Sequence, residues 1–178
     1  GPTVSISDSS DVLCFGNNDG DATVLATGGT GAYTYTWNNG SNNAQATGLY
    51  PGTYTVIVAD STGCTDNTSV NISEPTELIA IITDSTNIAC WSTNTGGATV
   101  SVSGGTLPYT YLWPSGDTGT VADSLPFGPA EVIVYDNNGC VASDVVDLTE
   151  PDMLMLSITE THVSCAGGSD GSIDLTVT

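Results

Sequence analysis

The sequence predicts an all-β chain, a series of small antiparallel sandwiches in tandem, and three observations carry that prediction. Apolar and polar residues alternate at a period of two within short runs. Gly, Asn, Asp and Pro interrupt the runs about every 8 to 12 positions, and no stretch has helical spacing. The third observation is repetition. Cys14, Gly28-Gly29, Tyr33-Thr34-Tyr35, Trp37, Gly40, Asp60, Gly63-Cys64 and Glu74-Pro75 recur 76 positions later. Their counterparts are Cys90, Gly104-Gly105, Tyr109-Thr110-Tyr111, Trp113, Gly116, Asp136, Gly139-Cys140 and Glu150-Pro151, and a third copy opens at Cys165 with Gly171. A fixed period marks an array of supersecondary units rather than a single site-bearing domain. The expected divisions are residues 1–75, 76–151 and 152–178, the first and last being partial repeats.

Within a unit the strands follow from local pattern. Val24 stands between Thr23 and Leu25. Tyr33, Tyr35 and Trp37 face one way, Thr34 and Thr36 the other. Tyr54, Val56 and Val58 alternate with Thr53, Thr55 and Ile57, and Val70 and Ile72 close the unit. The second unit repeats this with Val100, Val102, Tyr109, Tyr111, Trp113, Val132, Val134, Val146 and Leu148. β-branched and aromatic residues at these positions suit a half-buried pleated surface. About seven such strands in a unit of roughly this size describe an immunoglobulin-like sandwich. Asp60-Ser61-Thr62-Gly63 and Asp136-Asn137-Asn138-Gly139 read as turns with Gly at a positive φ. Between units, Ser73-Glu74-Pro75-Thr76 and Thr149-Glu150-Pro151-Asp152 hold a proline and no Gly/Ser stretch, which predicts stiff joints and a semi-rigid rod.

Charge excludes several functions. The chain has no Lys or Arg against twenty Asp and Glu, a formal net charge of −20. Nucleic acid and anionic membranes are excluded as partners, because no cation is available to neutralise phosphate. No Lys–carboxylate or Arg–carboxylate pair can form, so folding must rest on apolar burial and crosslinks. Seven carboxylates precede Thr76 and nine lie between Thr76 and Pro151, an even spread that keeps an array soluble and self-repelling. Trypsin-like proteases find no site. No leader or membrane-length apolar run occurs, so targeting and anchoring are expected to reside elsewhere in the parent chain.

The cysteines are regularly spaced. Cys14 to Cys64 and Cys90 to Cys140 are both 50 residues apart, which predicts one disulfide per unit, Cys14–Cys64 and Cys90–Cys140. Such a loop is worth on the order of 4 kcal/mol by chain entropy. Cys165 is expected to pair beyond Thr178. A metal site is disfavoured, since no CxxC spacing exists and His162 stands alone. By analogy with immunoglobulins, Trp37 and Trp113 are the aromatics expected beside the bridges.

Two stretches carry a recognisable signature. Gly28-Gly29-Thr30-Gly31-Ala32-Tyr33-Thr34-Tyr35-Thr36-Trp37-Asn38-Asn39-Gly40 and Leu49-Tyr50-Pro51-Gly52-Thr53-Tyr54-Thr55-Val56-Ile57-Val58-Ala59-Asp60-Ser61-Thr62-Gly63-Cys64 resemble the SprB repeat. The second unit keeps Pro108-Tyr109-Thr110-Tyr111, Trp113, Gly116, Leu125, Gly128, Val132-Ile133-Val134, Asp136 and Gly139-Cys140, and departs at Ala130, where the pattern has the tyrosine seen at Tyr54. The resemblance implies a very large extracellular cell-surface adhesin of Bacteroidota, exported by the type IX secretion system. In gliding relatives such a protein is moved along the cell surface. The repeats would form the stalk or filament, with neighbouring repeats, and other copies in a filament, as partners. The adhesive ligand, surface or glycan, is not legible.

Several motifs compete with bland readings. Asn17-Asn18-Asp19-Gly20-Asp21 resembles a calcium loop, but Thr93-Asn94-Thr95-Gly96-Gly97 has lost both acids, so a turn is favoured. Calcium at the joints through Glu74, Glu77 or Glu150 with Asp152 is the remaining cofactor hypothesis. Asp60-Ser61-Thr62, Asp84-Ser85-Thr86 and Asp123-Ser124-Leu125 match the O-glycosylation pattern of Bacteroidota, with Ser61, Ser85 and Ser124 as acceptors. Phe15 and Trp91 read as apolar plugs beside the cysteines, and as sugar-stacking surfaces in the alternative reading of a carbohydrate-binding array. With one His and no Lys, catalysis would need two facing carboxylates in a cleft, and no enzyme is expected.

Overall fold

The computed structural model describes residues 1–178, and its regular elements are all strands. The first repeat contains β1 (Pro2–Ser10), β2 (Gly20–Gly28), β3 (Thr34–Trp37), β4 (Gln45–Leu49), β5 (Gly52–Ala59) and β6 (Thr65–Ile72). They form two antiparallel sheets in the orders β1-β2-β4 and β3-β5-β6. The second repeat contains β7 (Ile79–Thr86), β8 (Gly96–Ser103), β9 (Thr110–Leu112), β10 (Val121–Leu125), β11 (Gly128–Tyr135) and β12 (Val141–Leu148). Its sheets have the equivalent orders β10-β8-β7 and β12-β11-β9. The third repeat contributes the hairpin β13 (Leu156–Thr161) and β14 (Ser172–Val177). Each complete repeat therefore has six strands where about seven were expected, and all strand pairing stays within a repeat.

The period-two alternation sets which face is buried. In the first repeat Val24, Trp37, Val56, Val58 and Ile72 are buried together with Val12, Ala22, Ala46 and Leu49. Trp37 is 2% exposed, while Ile57, out of phase with Val56 and Val58, is 50% exposed. The Trp37 Nε1–H donates to the Asn43 carbonyl at 2.9 Å, so burial of the indole leaves no polar atom unmatched. Trp113 repeats the arrangement, donating to the Gly119 carbonyl at 2.9 Å. Tyr54 Oη donates to the Tyr50 carbonyl at 3.0 Å, and Ala130, fully buried at the equivalent position, has no counterpart to that bond.

Compactness does not follow the repeat boundaries. One compact unit comprises Gly1–Ile81, Ser101–Tyr111 and Ile133–Ser143, and the other Ile82–Val100, Leu112–Val132 and Asp144–Thr178. The first unit thus holds the whole first sandwich and two second-repeat segments, of which Ile133–Ser143 carries both Asp136 and Cys140.

Replacing Trp37 by Ala removes the largest buried side chain of its repeat and should cost about 3–5 kcal/mol, most of it as a cavity term. Urea denaturation followed by far-UV circular dichroism checks this. Ile57→Ala, half-exposed on the other face of β5, serves as the control and should change stability by less than about 1 kcal/mol.

Candidate functional site: the cysteine clasp

The two cysteines of a repeat sit at opposite ends of its sandwich. β1 pairs with β2 so that Pro2 faces Gly28 at one end and Ser10 faces Asp21 at the other. Cys64 belongs to the first end, where its Cβ lies 3.2 Å from an ideal Cβ on Gly1. Cys14 follows β1 at the second end, where Val12 N–H donates to the Ser73 carbonyl at 2.9 Å. A strand of nine residues spans about 30 Å, several times the Cα separation that a disulfide tolerates. The expected Cys14–Cys64 bond is therefore overturned, and the expected Cys90–Cys140 bond with it. Equal spacing along the chain was misleading because β1 and β6 carry the two cysteines apart.

Cys14 is instead bonded to Cys140, with a Cα–Cα distance of 5.6 Å and a sequence separation of 126. Cys64, Cys90 and Cys165 are free thiols and exposed. The bond joins the first repeat to a loop of the second inside one compact unit. Around it, Asn138 Nδ2 donates to the Leu13 carbonyl at 2.9 Å. Phe15, Glu77, Leu78 and Val141 line the cleft in which the two sulfurs meet. Closing a loop of this length is worth on the order of 5 kcal/mol by chain entropy. Trp37 and Trp113 are buried as expected, but no bridge lies inside either sandwich for them to pack against.

Each cysteine is presented by a loop tied down with carboxylates. Asp60 Oδ1 accepts from the backbone N–H groups of Thr62 at 2.9 Å and Cys64 at 3.0 Å, and from the Thr62 hydroxyl at 2.7 Å. Its Oδ2 accepts from Thr30 N–H at 3.1 Å. Asp136 does the same for Asn138, Cys140 and Thr106, at 2.8, 2.9 and 2.8 Å. Gly29 and Gly105 are needed here, since an added Cβ would lie 2.8 Å from the carboxylate Oδ2 in either repeat. The hydrogen bond from the Thr62 hydroxyl, opposed by desolvation and aided by the backbone donors, holds the Asp60 carboxyl below the usual aspartate value.

The other loop is equally constrained. Leu13 N–H donates to Asp19 Oδ1 at 3.1 Å, and Gly16 N–H to Glu74 Oε2 at 2.7 Å. The second repeat substitutes Thr95, whose Oγ1 accepts from Ala89 N–H at 2.9 Å, and keeps Glu150, which accepts from Ser92 N–H at 2.9 Å. In the third, Ser164 N–H donates to Asp170 Oδ1 at 3.0 Å. Backbone donation from Ser73, in turn, lowers the pKa of Asp11, which anchors the end of β6.

These bonds engage four of the acids weighed for calcium. Asp19 and Asp21 accept from Leu13 N–H and the Ser10 hydroxyl, and Glu74 and Glu150 cap the cysteine loops. No three His, Cys, Asp or Glu side chains converge into a cation cage. Ser61, Ser85 and Ser124 are all exposed, with the Ser61 hydroxyl already donating to the Thr30 carbonyl at 2.6 Å. Phe15 and Trp91 are half-exposed, at 51% and 48%.

Sequence reasoning found every cysteine but not the clasp. The turns Asp60–Gly63 and Asp136–Gly139 place Cys64 and Cys140 at the start of β6 and β12, whereas the level of Cys14 and Cys90 follows only from the fold.

The SprB repeat family matches residues 6–42, 82–118 and 157–178, more than half of the chain. No curated protein matches significantly. Among solved structures, the chain is similar to the C-terminal 282-residue fragment of intimin, crystallised in complex with the intimin-binding domain of the translocated intimin receptor. Identity is 15%, the TM-score 0.39, and the match covers 86% of this chain and 65% of the intimin chain. No helix is long and apolar enough to cross a membrane.

Two measurements follow from the clasp. Alkylation under non-reducing, denaturing conditions should modify Cys64, Cys90 and Cys165 only, with Cys14 and Cys140 recovered in one linked peptide. A Cys14–Cys64 peptide would restore the intra-repeat pairing. The second concerns acid. Because the folded pKa of Asp60 is lowered, its contribution is full above the unfolded value near 4 and is lost as pH falls through the lowered one. Asp60→Asn should thus melt below the parent at pH 7, and the gap should close towards pH 2.5. A gap independent of pH would show that the lost charge is not what matters.

Proposed function

Because this chain belongs to the SprB repeat family, we propose that it is a non-catalytic stalk segment of a large extracellular cell-surface adhesin. Its repeats, residues 1–75, 76–151 and the start of a third at 152–178, act as consecutive structural modules. The observation that carries the proposal is the Cys14–Cys140 bond, which ties one repeat to the next instead of stabilising a site within either. A chain that must transmit load along its length gains from such a bond, whereas a ligand-binding module has no need of it. The connector at residues 73–78 contains Pro75 and no glycine, which favours a stiff joint.

The exposed aromatics argue against a glycan-binding array as the primary role. Tyr50 and Tyr135 are 57% and 38% exposed, yet their counterparts in the other repeat are Pro126 and Ala59. An array that gripped sugar through stacking would present the same ring in every copy. Carriage along the surface in gliding, and export by the type IX system, extend the proposal along the lines the family resemblance implies.

Immuno-electron microscopy of the source cells with an antibody raised against these repeats tests the stalk role. Label along filaments that project from the cell surface is the expected result. Label confined to shed material or to bound polysaccharide would overturn it in favour of the glycan-binding array.

A further inference from the structure

The Cys14–Cys140 bond has two halves, and each half occurs a second time in this chain. The Cys14 loop is repeated at Cys90: Asn17 N–H donates to the Cys14 carbonyl at 3.1 Å, and Thr93 N–H to the Cys90 carbonyl at 3.2 Å. Cys165 opens a third copy, with Gly168 N–H donating to its carbonyl at 3.0 Å. The Cys140 loop is repeated at Cys64. Asp60 N–H donates to the Cys64 carbonyl at 2.9 Å and Asp136 N–H to the Cys140 carbonyl at 3.0 Å, with Gly63 and Gly139 at φ of 81° and 82°. Cys64 and Cys90 are therefore thiols held in the conformations of bonded cysteines.

A cleft confirms the correspondence at Cys90. Phe15, Glu77 and Leu78 line the place where Cys140 and Val141 reach Cys14. Their counterparts Trp91, Met153 and Leu154, with Pro151, line a cleft of about 520 Å³ beside Cys90. It is apolar and opens next to a free thiol. Cys90, Trp91 and Leu154 in its lining correspond to Cys14, Phe15 and Leu78 in the cleft that the Cys140 turn enters.

We propose that Cys90 and Cys64 are crosslinking sites of opposite kind, Cys90 taking the turn cysteine of the next SprB repeat and Cys64 the loop cysteine of the preceding one. The Cys14–Cys140 bond is then one rung of a ladder. Each rung forms as two thiols surrender two protons and two electrons to an external disulfide, which leaves as two thiols. The rungs overlap, because the second opens at Cys90 before the first closes at Cys140. In the present chain, tension applied at the ends would pass through the Cys14–Cys140 bond and skip residues 15–139, withholding about 430 Å of extensible chain at roughly 3.4 Å per residue. The crosslink chemistry does not depend on the stalk role; only this mechanical consequence rests on it.

The test is a longer chain in which residues 1–152 are followed by a second copy of residues 1–178, which preserves the repeat register. After oxidation with glutathione disulfide, digestion at acidic residues without reduction should yield a peptide linking Cys90 of the first copy to Cys64 of the second. The Cys14–Cys140 peptide of each copy reports that the repeats have folded. If those peptides form while Cys90 of the first copy and Cys64 of the second remain open to alkylation, the ladder is wrong. Bonds at the 50-residue spacing, Cys14 to Cys64 or Cys90 to Cys140, would overturn it equally. Stretching the present chain between its ends supplies the mechanical readout, with a gain of about 430 Å expected in reductant. Equal extension with and without reductant would remove the load-sparing role while leaving the crosslink map standing.

Discussion

The structure depends on how a chain without Lys or Arg satisfies its carboxylates. With twenty acids and no basic side chain but His162, charge cannot be neutralised by pairing. The acids become hydrogen-bond acceptors for backbone N–H groups, a role in which ionisation strengthens the bond. Asp60 and Asp136 knot the turns before Cys64 and Cys140. Asp66 and Asp144 accept from Val4 and Ile82 at 3.0 and 2.7 Å, each bridging the last strand of a repeat to its first. Glu74 and Glu150 hold the loops that follow Cys14 and Cys90. The bonds of Asp66, Asp144, Glu74 and Glu150 join segments about 60 residues apart in sequence, so these acids hold the fold where ion pairs do so in other chains.

The same constraint explains why the core is narrow and the crosslink long. Six short strands bury mostly Val, Ala, Leu and one Trp per repeat, which makes a small core. A disulfide inside each sandwich would have been the ordinary supplement. The chain instead spends its bond between repeats, where the carboxylate knots hold both cysteine loops in fixed conformations before they meet.

Much of the fold was legible in the sequence, and the reason is local. Period-two alternation marked β2, β3, β5, β6 and their counterparts, and the buried residues Trp37, Val56, Val58 and Ile72 fall on the face that the pattern selects. β4 and β10 escaped because Gln45–Leu49 and Val121–Leu125 carry little alternation; pairing with β2 and β8 defines them. The hairpin β13–β14 makes the same point from the other side. Ile173 and Leu175 occupy the positions of Ala22 and Val24 and are 77% and 55% exposed, since burial at those positions is supplied by a second sheet. The cysteine pairing was not legible, because spacing reports contour length whereas bonding depends on which end of a strand each thiol reaches.

That separation of ends has a consequence for biosynthesis. Synthesis runs from the N-terminus, so Cys14 meets Cys64 long before Cys140 exists. A flexible chain would join the first two by proximity and trap the wrong isomer. Folding of the first sandwich prevents this by carrying the two thiols about a strand length apart. The folded repeat thus keeps Cys14 and Cys64 beyond bonding reach of each other and leaves Cys14 open to Cys140.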